Sequence, residues 1–182
     1  MGEAVPSIRV WDGAVRACHW LLVAGVAAAW FTRHGGGAWH EYLGYLVLGL
    51  VCFRLCWGIA GSKYARFKQF IYSPAHTLNY GLDILQGKHL RYLGHNPLGG
   101  WMIAALLMTL LAVCTTGWLY TTDAFWGVEW VEELHEFFTY LLLGLIAMHV
   151  GGVLFTSVLE RENLVGAMIH GKKRVPQQDD IT

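Results

Sequence analysis

Two histidines bracket an apolar segment near the C-terminus, which reads HEFFTYLLLGLIAMH over residues 135–149. An ionisable side chain in a segment suited to lipid is costly to bury, which makes it a candidate functional group. The neutral imidazole is also a common metal ligand. On a helix, fourteen residues place His135 and His149 about 40° apart around the axis and about 21 Å apart along it. The spacing therefore predicts two stacked sites served by one helix face.

Two further histidines, His19 and His40, lie in other apolar segments. The chain is 55% hydrophobic and 14% charged, against about 25% charged residues in a typical soluble domain. Its apolar residues are concentrated at 17–33, 40–60, 98–120 and 134–159. Because the backbone must satisfy its own hydrogen bonds in lipid, each segment is predicted to be a membrane-spanning helix. The sequence therefore predicts an all-α integral membrane protein, a four-helix bundle forming a single domain over residues 1–182.

The distribution of lysine and arginine predicts the direction of these helices, because such residues are enriched on the cytoplasmic side. The N-terminal arm, the 61–97 connection and the C-terminal tail contain most of them: Arg9, Arg16, Lys63, Arg66, Lys68, Lys88, Arg91, Arg161, Lys172, Lys173 and Arg174. On the other side, the first connection has only Arg33, and the 121–131 connection has no basic residue. Both termini and the 61–97 connection are therefore predicted to be cytoplasmic.

Short motifs predict local structure at this cytoplasmic side. Ser73-Pro74 is typical of a helix N-cap followed by proline at the first helical position. The leucines that follow, Leu78 and Leu82 among them, predict a short amphipathic helix on the inner membrane surface. Asn96-Pro97 predicts the start of the third span in the same way. The polar residues after Val175 are expected to be loose.

The predicted directions assign a depth to each histidine in a span. The first helix runs outward, so His19, near its start, is at inner depth. The second and fourth helices run inward, so His40 and His135 are outer and His149 is inner. The third helix has no histidine. The four histidines therefore form two predicted pairs, His40 with His135 and His19 with His149, each joining two helices.

Two neutral imidazoles at one depth fit haem better than they fit other cofactors. Zinc requires three or four protein ligands, whereas a porphyrin supplies four nitrogens and leaves only two axial positions to the protein. There is no CxxCH motif for covalent haem attachment. Gly25, Gly44, Gly49 and Gly144 leave room for a flat macrocycle, although small residues also allow helices to approach closely. The pattern predicts two haem b groups on four metal ligands.

Four stretches, RVWDGAVRACHWLLV, WHEYLGYLVLGLVCFRLCWG, GHNPLGGWM and the segment with the paired histidines, resemble the bacterial cytochrome b561 family. That family includes the b-type cytochrome subunits of nickel–iron hydrogenases, and it is similar to the cytochrome subunit of formate dehydrogenase. The resemblance implies a four-helix, diheme protein of the bacterial inner membrane. It also implies that the axial ligands are His19, His40, His135 and His149.

Three other residues are candidates for cofactor binding. The resemblance implies electron exchange with quinone near the inner haem, which makes His95 and Asn96 candidate quinone contacts, although Asn96 could instead cap the third helix. Arg54 is at inner depth, where it could pair with haem propionates or quinone, or extend its charge to the interface. The remaining histidines are expected to be exposed or to cap helices: His34, His76, His89 and His170.

Two haems across a membrane predict electron transfer rather than a structural role. The favoured function is an electron-transfer subunit between the quinone pool and a periplasmic redox partner, such as a c-type cytochrome or a dehydrogenase. The alternative is a superoxide:ubiquinone oxidoreductase (superoxide oxidase), as some small family members are. The acidic outer residues, including Asp123 and Glu129, suit a basic docking face, whereas superoxide is an anion. No residue is predicted to be catalytic, and the zero net charge with no basic aromatic patch argues against nucleic acid.

Overall fold

The computed structural model describes residues 6–35, 37–88, 90–178, 180 and 181. In chain order, the elements are β1 (Ser7–Arg9), α1 (Gly13–Thr32), α2 (Ala38–Ala60), a 3-10 turn (Lys63–Ala65), α3 (Phe67–Phe70), α4 (Pro74–Leu85), α5 (Pro97–Tyr120), α6 (Glu129–Leu159), α7 (Leu164–His170) and β2 (Lys172–Arg174). His89, predicted to be exposed or capping, lies outside the described residues.

Four of these helices, α1, α2, α5 and α6, are long and apolar enough to cross a membrane. The prediction of an all-α integral membrane protein with four spanning helices is therefore confirmed. The side of the membrane on which the termini lie remains a prediction from the distribution of lysine and arginine.

The long helices extend beyond the apolar segments at several ends. The helix α6 begins at Glu129, although the apolar segment was predicted from 134. The helix α1 begins at Gly13, where the Asp12 carboxylate accepts a 2.7 Å hydrogen bond from the Val15 amide. Hydropathy marks only the part of a helix that suits lipid, whereas the helical hydrogen bonds continue into polar sequence until a cap ends them.

The chain divides into two compact units, of which the helical unit comprises Ala17–Cys56 and Ala104–Ala147. Each of the four long helices contacts its neighbours in it. The contacts join α1 to α2 (Gly25 and Val47), α2 to α5 (Gly44 and Cys114) and α1 to α6 (Trp30 and Tyr140). The pair α5 and α6 meets at His135, described below. Within this unit the four helices therefore form a bundle.

The terminal unit comprises Met1–Arg16, Trp57–Ile103 and Met148–Thr182. Its strands β1 and β2 pair antiparallel, with Ile8 opposite Lys173. Val10, Trp11, Leu93 and Ala167 form its hydrophobic core. Ser73 and Asn96 cap α4 and α5 as predicted: the Ser73 hydroxyl accepts from the His76 amide, and Asn96 Oδ1 accepts from the Gly99 amide.

The expectation of a loose tail after Val175 is wrong for Asp180 and Ile181. The carboxylate of Asp180 pairs with Arg91, and Ile181 forms an isolated β-bridge with Tyr92. The Leu93 amide also donates to the Ile181 carbonyl at 2.9 Å. Buried charge and backbone pairing thus hold Asp180 and Ile181, although their local sequence contains no strong structural signal.

Candidate functional site

The predicted outer pair of histidines meets inside the helical unit. The ring centroids of His40, on α2, and His135, on α6, lie 6.2 Å apart, and the ring planes are nearly perpendicular at 84°. Metal–imidazole bonds are about 2 Å long, and a ring nitrogen lies little more than 1 Å from its ring centre. Two imidazoles that bind one metal ion from opposite sides would therefore have centroids about 6 Å apart, and the observed separation agrees with this distance.

The His40 ring is oriented by a backbone carbonyl on the adjacent helix. Its Nδ1 lies 3.1 Å from the carbonyl oxygen of Ala29. A carbonyl can only accept, so Nδ1 is the protonated nitrogen and donates this bond. The lone pair of Nε2 is then available to a metal, because the hydrogen bond made by one ring nitrogen sets the role of the other.

The His135 ring is oriented in the same way by two groups on α5. Its Nδ1 lies 3.0 Å from the Val113 carbonyl oxygen and 3.3 Å from Thr116 Oγ1. The Thr116 hydroxyl already donates to the Ala112 carbonyl at 2.8 Å, so towards the imidazole it acts as an acceptor. Both contacts therefore require a proton on Nδ1 and leave Nε2 as the ligand atom.

Glycines provide the space that the ring and a macrocycle need. A Cβ on Gly117 would lie 3.0 Å from His135 Cε1, so only glycine allows the ring this position without a shift. A Cβ on Gly44, Gly49 or Gly144 would contact no other described residue within 4 Å. Gly25 differs, since its Cβ would lie 3.0 Å from Val47, and its role is therefore close helix packing.

This set of donors fits a haem. Among the described residues, no group of three or more His, Cys, Asp and Glu side chains is placed to bind a metal ion. A pair of imidazoles with unprotonated Nε2 atoms supplies two ligands, which is the number that a porphyrin iron leaves to the protein. His40 and His135 would therefore be the residues that hold a haem iron.

The predicted inner ligands lie on the same helices as expected. His19 is half-buried on α1 in the helical unit, with its ring edge-to-face to Trp20 at 5.0 Å. His149 is half-buried on α6 and belongs to the terminal unit. Their pairing remains a prediction from depth. Arg54, on α2, is 7% exposed, so its guanidinium does not extend freely into water.

His95 and Asn96 are adjacent in the chain but have different surroundings. The His95 ring packs against Trp11 and Phe70, with centroids 4.4 and 5.0 Å away. Asn96 caps α5, and its side chain also hydrogen-bonds the buried Tyr80 phenol. Asn96 therefore caps α5 in the structure. Its contact with quinone remains a separate prediction.

An acidic surface extends over the α5–α6 connection and the first turns of α6. Its exposed carboxylates are those of Asp123, Glu129, Glu132, Glu133 and Glu136. The Arg33 guanidinium, in the α1–α2 connection, lies 3.7 Å above the Trp30 ring. Within the helical unit, negative charge therefore exceeds positive charge at these connections.

The sequence did not indicate the residues that orient the ligands. Thr116 and Gly117 lie on the helix without a histidine, and the carbonyls of Ala29 and Val113 carry no side-chain signal. Thr116 and Gly117 could have been found by extending the depth argument to α5. They are polar and small residues near the C-terminal end of α5, beside His135.

Comparison with known proteins identifies the family of this chain. The family model for prokaryotic cytochrome b561 matches residues 10–171 of the chain. The chain is 20% identical to a probable Ni/Fe-hydrogenase B-type cytochrome subunit of Bradyrhizobium diazoefficiens, over 93% of this chain and 87% of the relative. No solved structure matches it significantly. The chain belongs to the prokaryotic cytochrome b561 family, whose members are b-type, electron-transferring cytochromes of bacterial membranes.

Proposed function

We propose that the protein carries electrons across the bacterial inner membrane through two b-type haems, between the quinone pool and a periplasmic redox protein. His40 and His135 hold the outer haem, and His19 and His149 hold the inner one. Both termini are cytoplasmic. The protein acts as an electron-transfer subunit surrounded by membrane lipid, and no residue of the chain is assigned a catalytic role.

The arrangement of His40 and His135 is the observation that carries this proposal. Their 6.2 Å separation and the carbonyl partners of both Nδ1 atoms suit two axial ligands of one iron. When bound, haem would supply one-electron chemistry, and His40 and His135 would be the residues that hold it. The protein contributes ligation, orientation and a low-dielectric environment.

The helix α6 supports the inner site, because His149 follows His135 by fourteen residues on the same helix. At 1.5 Å per residue, this places the two ligands about 21 Å apart along the axis. Arg54 is buried at inner depth on α2. Its guanidinium would pair with the propionates of the inner haem, since a guanidinium binds a carboxylate through two parallel hydrogen bonds.

The acidic surface favours a protein partner with a basic docking face. Complementary charge accelerates association and selects the partner, whereas superoxide would require a positive surface to attract it. The acidic residues of the α5–α6 connection therefore argue against superoxide oxidase activity. The Bradyrhizobium relative is a probable Ni/Fe-hydrogenase subunit, which favours a dehydrogenase-type partner, such as a hydrogenase, over a c-type cytochrome.

Quinone is proposed to exchange electrons at the cytoplasmic side, beside His95 and Asn96. This assignment rests on the family resemblance and on the predicted inner position of the α5 start. Asn96 Oδ1 accepts a hydrogen bond from the Gly99 amide at the start of α5, and the Asn96 side chain also hydrogen-bonds the Tyr80 phenol. The proposed quinone site therefore lies beside these hydrogen-bonded groups. The quinone-exchanging end therefore belongs to the terminal unit.

Four single variants test the haem ligands. His40→Ala and His135→Ala should each lose the same one of two haems, whereas His19→Ala and His149→Ala should lose the other. His34→Ala is the matched control, because His34 is exposed in the α1–α2 connection. Haem content and reduced spectra are measured after purification. Loss of different haems in His40→Ala and His135→Ala would contradict the pairing.

A further inference from the structure

The carbonyl that orients His40 is shared with a threonine of its own helix. Thr32 is the last residue of α1, and its hydroxyl donates to the carbonyl oxygens of Ala28 at 2.9 Å and Ala29 at 3.1 Å. The Ala29 oxygen is the one that accepts from His40 Nδ1, also at 3.1 Å. One carbonyl oxygen at the end of α1 therefore receives both a hydroxyl proton and an imidazole proton.

The same arrangement recurs at His135, on a different helix. The Thr116 hydroxyl on α5 donates to the carbonyl oxygens of Ala112 at 2.8 Å and Val113 at 3.1 Å. The Val113 oxygen accepts from His135 Nδ1 at 3.0 Å. A threonine in a helix often bonds the carbonyl four residues earlier, and here the hydroxyl also reaches the carbonyl three residues earlier. Two helices therefore present the same shared carbonyl to the two candidate ligands.

Sharing weakens the pull of each carbonyl on the imidazole proton. A carbonyl oxygen has two lone pairs, and a donor bound to one of them withdraws electron density from the other. The Nδ1–H bond is consequently less polarised towards the carbonyl than it would be without the threonine. A hydrogen-bond acceptor at one ring nitrogen raises the basicity of the other, ligating nitrogen. The threonine hydroxyl therefore makes Nε2 of the histidine a weaker electron donor.

We propose that Thr32 and Thr116 are positioning residues that raise the midpoint potential of the haem held by His40 and His135, an inference that rests on the proposed function. Both act through the shared carbonyls and supply no ligand to the iron. A weaker donor at Nε2 stabilises ferric iron less than a strong donor does, so each hydroxyl favours the reduced form. The hydroxyls thereby favour the acceptance of an electron at the outer site.

The two threonines should differ in the size of their effect. Thr116 Oγ1 also lies 3.3 Å from His135 Nδ1, where it accepts a share of the same proton. This direct contact polarises the Nδ1–H bond and opposes the effect of sharing the Val113 carbonyl. Among the described residues, the Thr32 hydroxyl makes no hydrogen bond to the His40 ring. Thr32→Val therefore isolates the effect of the shared carbonyl.

The test is a redox titration of the purified, haem-loaded protein that resolves the two midpoint potentials. The outer haem is identified as the one that is absent from His40→Ala. Thr32→Val retains the branched shape of the side chain and removes the hydroxyl, and both haems should remain bound. At a fixed ambient potential, the ratio of reduced to oxidised outer haem should fall about fivefold, the size of one hydrogen bond's net contribution. Thr116→Val should change this ratio less, and neither variant should shift the inner haem.

Two further variants separate this role from structural damage. Thr32→Ser retains the hydroxyl and should keep the wild-type potential. Thr122→Val is the matched control, because the Thr122 hydroxyl donates at 2.7 Å to the Leu119 carbonyl, which accepts from no histidine ring among the described residues.

An unchanged or raised ratio in Thr32→Val, loss of its outer haem, or an equal fall in Thr32→Ser would overturn the proposal and leave the proposed function standing. If His40→Ala and His135→Ala instead lose different haems, the ligand pair on which the proposed function rests is wrong.

Discussion

Two buried polar sites, the histidine pair of the helical unit and the ion cluster of the terminal unit, are stabilised in opposite ways. In the helical unit, His40 and His135 are held by backbone carbonyls. In the terminal unit, Arg91 binds the carboxylates of Glu162 and Asp180, all with side chains 11% exposed or less. Neutral donors suit a span because they avoid the cost of charge in lipid. Full charges are tolerated where several partners satisfy them.

Within the terminal unit, two glutamates show what partners do for a buried carboxylate. Burial would raise the pKa of Glu162, but hydrogen bonds from the Arg174 amide and from Arg91 hold it below its ordinary value. Glu160, two residues earlier, has a buried carboxylate oxygen, Oε2, that accepts no hydrogen bond from the described residues. Burial raises the pKa of Glu160, although Lys173 and Arg91 act against this. Nearby cations therefore lower the pKa of a buried carboxyl group less than direct hydrogen bonds do.

The largest effect is expected at the ligand pair. Gly117→Leu should abolish the outer haem, because even a Cβ would lie 3.0 Å from His135 Cε1. Haem content should fall to the level of His135→Ala. Gly81→Ala is the control, since its Cβ would contact no other described residue within 4 Å. A full haem complement in Gly117→Leu would contradict the placement of His135.

Breaking the ion cluster should affect stability rather than haem content. Arg91→Ala leaves two buried carboxylates without their main cation and should cost about 3–5 kcal/mol. The thermal denaturation midpoint in detergent should fall, with the haem spectrum of the folded protein unchanged. Arg161→Ala, at an exposed basic residue in the same unit, is the control. Equal midpoints for the two variants would show that the cluster does not stabilise the fold.

Replacing Glu162 by glutamine should lower the stability of the protein, whereas replacing Glu160 by glutamine should not. Because the pKa of Glu162 is lowered, its stabilisation is present above its ordinary value of 4.5 and is lost as the pH falls through the folded value. Glu162→Gln should therefore destabilise the protein at pH 7, by about 1–3 kcal/mol.

Glu160→Gln should leave stability at pH 7 equal or higher, since the raised pKa of Glu160 means that its ionised form is unfavourable in the folded state. Denaturation midpoints of both variants across pH 4–8 provide the measurement. Destabilisation by Glu160→Gln equal to that by Glu162→Gln would remove the distinction between them.

The smallest effect is expected at Thr116. Thr116→Val removes one acceptor from His135 Nδ1 but leaves the Val113 carbonyl at 3.0 Å. The haem should be retained, and its midpoint potential should shift by roughly tens of millivolts, since partners of this kind tune ligand basicity. A redox titration that resolves the midpoint potentials of the two haems measures the shift. A shift in the haem lost by His19→Ala instead would place Thr116 at the wrong site.

Features set by local sequence were predictable. Helix periodicity and the distribution of lysine and arginine predicted one depth for His40 and His135. The dipeptides Ser73-Pro74 and Asn96-Pro97 predicted two helix caps. Hydropathy could not predict that α6 begins at Glu129, because a helix continues into polar sequence. The 1–182 single-domain interpretation remains a prediction.

Features that join distant parts of the chain could not be predicted in the same way. The Asp180–Arg91 pair joins residues 89 positions apart. The contrast between Glu160 and Glu162 depends on which of them meets Arg91 and the Arg174 amide. Such contacts follow from tertiary packing, which no local pattern specifies.

The central claim is that His40 and His135 are both axial ligands of one iron, and electron paramagnetic resonance of the oxidised protein tests it most directly. Two strong-field imidazoles predict low-spin ferric iron throughout, and nearly perpendicular rings, at 84°, predict a strongly anisotropic signal for the outer haem. That signal should disappear in both His40→Ala and His135→Ala. A high-spin ferric signal in the unmodified protein would show an open coordination position and contradict the assignment.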